Sequence, residues 1–120
     1  MLRLILTTTL ALAASTSFAQ QRDYEVLPNW GIYELRLRDV IMPNGTAGTT
    51  IVKPCAECES VGIPVHAATR YEFAGRELAL TEFLVAVEEL RATTDGAAGV
   101  GVFYDQATNR VRRITVHPPR

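Results

Sequence analysis

Little in this sequence announces chemistry. It holds two cysteines, two histidines and one tryptophan in 120 residues. It has no Gly-rich phosphate loop, no HExxH helix and no Ser, His and Asp in a triad order, so the common hydrolase, nucleotide and metalloprotease signatures are all missing. Charge of one sign is also missing as a block. Twelve basic and thirteen acidic side chains are scattered to a net of −1, and neither nucleic acid nor an anionic membrane surface is an expected partner. After the opening residues no long apolar run remains, and a spanning helix needs roughly 20 such residues. There is no internal repeat or low-complexity tract, and with 48% apolar residues the composition is that of a folding chain.

What the chain does have begins at its N-terminus. Arg3 supplies a basic start, residues 4–14 form a short apolar stretch, and Ser17-Phe18-Ala19 is a small-x-small cleavage site, so residues 1–19 read as a secretory signal peptide. The expectation is an exported protein of the periplasm or the extracellular space. Residues 20–29 are polar, contain Pro28 and read as a loose leader. Residues 30–117 then have the length of one domain.

Within that domain Tyr33, Leu35 and Leu37 alternate with Glu34, Arg36 and Arg38, the period of a half-buried strand. The phase changes before Val40 and Met42, predicting a bulge near Arg38 and Asp39. Pro43-Asn44-Gly45 predicts a turn, pairing this strand as a hairpin with residues 49–53. Short strands follow at 63–66, 70–73 and 76–78. Thr81 reads as an N-cap, and Phe83, Leu84, Val87 and Leu90 make one stripe of an amphipathic helix over 82–93. A closing hairpin joins 99–104 to 110–117, with Asn109 suited to a left-handed turn position. Five to seven strands and one helix predict an α+β domain, built as a small, strongly curved antiparallel sheet or barrel.

Thr69-Arg70 opening a strand, Gly75 in a turn, Leu80 to Phe83 entering the helix and the hairpin from Asp105 to Ile114 together resemble small OB-like barrel domains of unknown function in bacterial exported proteins. The likeness covers residues 68–116. It implies a barrel in a bacterial envelope and no particular activity.

Cys55-Ala56-Glu57-Cys58 is the motif that most invites a functional reading. In an exported protein two cysteines this close pair as a disulfide closing a turn, a link worth about 2 kcal/mol at most by loop entropy. One alternative is a zinc or copper site using Cys55 and Cys58 with His66 and His117, although the histidine spacings match no zinc-finger pattern. A second is thiol-disulfide exchange, which Glu57 and Glu59 disfavour by opposing a thiolate. Strand parity turns both histidines toward solvent. Arg110, Arg112 and Arg113 offer an anion patch, but three arginines on a closing strand read better as a solvated edge that deters pairing. Trp30, Tyr33 and Tyr71 read as core rather than as a ligand surface. Asn44-Gly45-Thr46 is a glycosylation sequon read here as a turn. The resulting expectation is a binding or structural module, without catalytic residues or a cofactor, contacting a protein or small ligand.

Overall fold

The computed structural model describes residues 29–119. The predicted signal peptide and most of the leader lie outside the described residues. Eight strands and one helix follow: β1 (Trp30–Arg36), β2 (Val40–Ile41), β3 (Thr49–Val52), β4 (Val61–Pro64), β5 (Arg70–Phe73), β6 (Arg76–Leu78), α1 (Leu80–Thr94), β7 (Gly99–Asp105) and β8 (Arg110–His117).

They build two sheets, one of five strands in the order β1-β7-β8-β5-β6 and one of three in the order β2-β3-β4. Neither closes. This overturns the expected barrel and with it the OB-like resemblance: β1 and β6 are the two edges of the larger sheet and do not meet. The pieces behind the resemblance are present, with Arg70 opening β5 and Gly75 turning at φ +85°. Their assembly differs, because β5 lies parallel to β8, with Tyr71 beside Ile114 and Phe73 beside Val116. The sheet is mixed where an all-antiparallel one was expected.

The break in alternation after Arg36 is a 3-10 turn at Leu37–Asp39 rather than a bulge. Its consequence is large, since β1 pairs with β7 and only Val40 and Ile41 go on to pair with β3. The predicted hairpin therefore shrinks to two residue pairs. Backbone bonds from Leu37 N–H to the Ala98 carbonyl (2.8 Å) and from Arg38 N–H to the Gly96 carbonyl (2.9 Å) pin the turn. Gly96 is required there: it sits at φ +75°, and a Cβ would come within 2.8 Å of Arg38 Cβ.

Helix α1 begins two residues earlier than the alternation suggested, at Leu80, with Ala79 as its N-cap and no side-chain cap. Thr81 lies inside the first turn. Asp95 at φ 56° and Gly96 at φ 75° end it in left-handed conformations. Phe83 and Val87 are buried, and Leu84 and Leu90 pack at the margin of the core. Arg91 reaches from the last turns of α1 to the carbonyls of Leu37 (3.0 Å) and Val40 (2.8 Å), tying the helix to the strand switch.

The core lies between one face of the larger sheet and a second layer made by α1 and the three-stranded sheet. Val100, Val102, Val111, Ile114, Val116 and Tyr71 come from the larger sheet, and Val40, Val52, Ile63 and Val65 come from the β2 to β4 region. Phe83 meets Tyr71 with ring centroids 5.1 Å apart. The Tyr71 hydroxyl is buried without a hydrogen-bond partner, and this burial pushes its pKa above the ordinary value of 10.0. Gly31 gives up a side chain so that the Tyr104 ring can lie across it and stack on Tyr33 at 5.2 Å. No described helix is long and apolar enough to cross a membrane.

Candidate functional site

The second layer covers one face of the five-stranded sheet; no other described strand or helix packs on the opposite face, which is bordered by Arg38, Asp39 and Pro54 and on which Gly101 and Thr115 are buried. Cross-strand register sets out that open face in rows. Ile32, Phe103, Arg113 and Arg70 form one row across β1, β7, β8 and β5. Glu34, Gly101, Thr115, Glu72 and Glu77 form the next, and Arg36, Gly99 and His117 the third. The glycines make a trough. At Gly101 a Cβ would meet Thr115 Oγ1 at 2.9 Å and the Phe103 ring at 3.2 Å, whereas the position over Gly99 is open. A groove of about 720 Å³ runs here, lined among others by Ile32, Glu34, Phe103, Thr115 and His117, with Pro54 at its side.

The arginines occupy a place that the sequence reading missed. Strand β8 is central in its sheet, so Arg112 and Arg113 do not guard an edge. Between Phe103 and Tyr104 the β7–β8 register shifts, setting Arg113 against Phe103 and Val111 against Tyr104, with Arg112 as the extra residue. That irregularity lets two consecutive arginines serve the open face. The Arg112 guanidinium lies 5.0 Å from the Trp30 ring centre and that of Arg113 lies 4.7 Å from Phe103. Trp30 and Phe103 meet edge to face at 6.3 Å. Trp30, expected in the core, is thus part of this surface, while Tyr71 is core as predicted. The clue was present in Val111-Arg112-Arg113-Ile114, where two polar residues separate two buried ones and strict alternation fails.

Carboxylates flank each arginine. Arg70 pairs with Glu77 at 3.2 Å, Arg113 with Glu72 at 3.6 Å and Arg112 with Asp105 at 3.7 Å. Asp105 is also engaged elsewhere, accepting the Ala107 N–H at 2.8 Å to shape the β7–β8 loop. Among the described residues the Arg113 Nε is buried with no hydrogen-bond partner.

Cys55 and Cys58 form a disulfide in the exposed loop between β3 and β4, and Cys58 N–H donates to the Cys55 carbonyl at 3.2 Å. Both sulfurs are thereby used, and the four predicted metal ligands are not assembled. His117 is exposed and lines the glycine groove, whereas His66 is half-buried beside the arginines. Among the described residues no three His, Cys, Asp or Glu side chains gather as a metal would need. Replacing both cysteines by serine should cost at most about 2 kcal/mol, because the ring is small and the denatured chain gains little freedom. Thermal melting of the double variant beside the disulfide form checks this, and collapse of the fold would assign the bridge a larger part. The chain matches no protein-family model, no curated protein and no solved structure.

Proposed function

We propose that this chain is exported through the signal peptide at residues 1–19 and works in the periplasm or outside the cell as a non-catalytic binding module, with the open face of the five-stranded sheet as its contact surface. The observation that carries this reading is the face that no other described strand or helix covers. A sheet in a two-layer domain needs one apolar face, and the other is ordinarily dressed in solvated polar side chains. Here the second face instead bears Trp30, Ile32 and Phe103, with Ile32 46% exposed. A side chain of that type in contact with water is better accounted for by a partner than by folding, because it joins a groove and two guanidinium-aromatic contacts rather than standing alone. The disulfide is in keeping with an oxidising compartment.

Among the described residues Ile41 and Val85 are the other large exposed apolar side chains, each at 60%, and they provide controls. A photo-reactive amino acid placed at Ile32 in the exporting cell is expected to give a discrete adduct, and one at Ile41 or Val85 none. Equal labelling from all three positions, or none from Ile32, would remove the open face as the working surface. Recovery of the protein from the cytoplasm with residues 1–19 intact would overturn the location.

A further inference from the structure

This inference rests on the open face being the binding surface and names what one end of it takes. Beside Trp30 the face deepens into a cavity of about 200 Å³, separate from the glycine groove and lined by Trp30, His66, Ala68, Arg70, Arg112 and Arg113. Three arginines line that wall, and no acidic residue does. Glu72, Glu77 and Asp105 each approach one arginine from outside the lining.

Two of the three arginines hold back their donors. The carboxylate contacts of Arg112 and Arg113, at 3.7 and 3.6 Å, are ion pairs too long to be hydrogen bonds. Among the described residues neither guanidinium donates a hydrogen bond, so their terminal nitrogens are open to an acceptor in the cavity. Each guanidinium sits over an aromatic ring, Arg112 over Trp30 and Arg113 over Phe103, a contact that limits the freedom left to lose when an acceptor arrives. Arg70 is more committed, since its Nε and a terminal nitrogen both face Glu77 at 3.3 and 3.2 Å. His66 adds a donor: Nδ1 accepts the Ala68 N–H at 3.1 Å, which leaves the ring proton on Nε2.

From this we infer that the cavity binds a small oxyanion, a phosphate or carboxylate group, held by Arg112 and Arg113 with Arg70 and His66 beside it. A guanidinium fork matches the paired oxygens of such a group, and an ammonium would not. The scattered overall charge and the three flanking carboxylates exclude a polyanion, which would need a longer cationic track.

Trp30 is the only tryptophan in the chain and lines the cavity, so its fluorescence reports occupancy directly. The mature protein is titrated with inorganic phosphate and, separately, with acetate, each at ionic strength held constant with chloride. A saturable change is expected, and the two arms decide between a phosphate and a carboxylate ligand. Arg113→Gln should weaken the response about tenfold or more, as loss of a charge-assisted bond requires. Arg112→Gln, at a more exposed side chain, should weaken it in the same direction and guards against misfolding of the first variant. Glu72→Gln should strengthen binding roughly two- to fivefold by freeing Arg113 from a competitor. A response that never saturates, that matches chloride, or that neither arginine substitution alters would overturn the proposal. If that happens while Ile32 still gives its adduct, the oxyanion site falls and the open-face reading stands.

Discussion

Phe83→Ala should remove about 3–5 kcal/mol of stability, the range for deleting a buried aromatic ring. Phe83 is the largest fully buried side chain among the described residues, set from α1 against Tyr71 on the larger sheet. A domain of this size holds only about 5–15 kcal/mol in total, so one ring carries a large share. The cost has two parts: lost burial of the ring, and a void that the neighbours fill only in part. Phe83→Leu separates them, since it keeps most of the volume and should cost about 1–2 kcal/mol. Urea titrations of both variants give the comparison. A loss below about 1 kcal/mol for Phe83→Ala would mean that α1 rests on the domain without completing its core, which the burial of Val87 one turn later argues against.

Arg91→Ala is the second large effect, expected at about 2–4 kcal/mol from two charge-assisted hydrogen bonds. Its guanidinium spans the carbonyls of Leu37 and Val40, on either side of the 3-10 turn. Those carbonyls face the helix because the chain is leaving one sheet for the other, and without Arg91 they have lost their charged donor. The substitution should also speed hydrogen exchange at the Leu37 and Arg38 amides, whose bonds to Ala98 and Gly96 hold the turn. Glu88→Ala is the control. Glu88 reaches Arg91 at 3.5 Å but is 76% exposed, and its loss should cost less than about 0.5 kcal/mol. Equal effects from the two substitutions would show that Arg91 acts as a surface ion pair and not as the clasp of the strand switch.

Much of the local structure was legible. Alternation around Tyr33 and Leu35 marked β1, the stripe from Phe83 to Leu90 marked α1, and Asn109 at φ 56° took the turn conformation its side chain tolerates. The start of the helix was misplaced because Thr81 looks like a cap, whereas the carbonyl of Ala79 accepts the Phe83 N–H without any side-chain capping bond. Strand partners were a different matter. The phase change at Leu37 marked a discontinuity but carried no record that β1 would continue with β7, more than sixty residues away, instead of with its neighbour in sequence. Arg112 and Arg113 were read as an edge for the same reason: the last strand of a chain is easily mistaken for the last strand of a sheet.

Local patterning marked most of the elements, the turn positions and the close spacing of Cys55 and Cys58, since these follow from the intrinsic geometry of a few consecutive residues. That the sheets stay open, that β8 sits at the centre of one of them, and that Trp30 and Phe103 meet two arginines on the face opposite the core came from packing between distant segments. Those outcomes depend on which distant surfaces bury each other best. Apolar burial is non-directional, so a pattern that says which side of a strand is buried does not say against what.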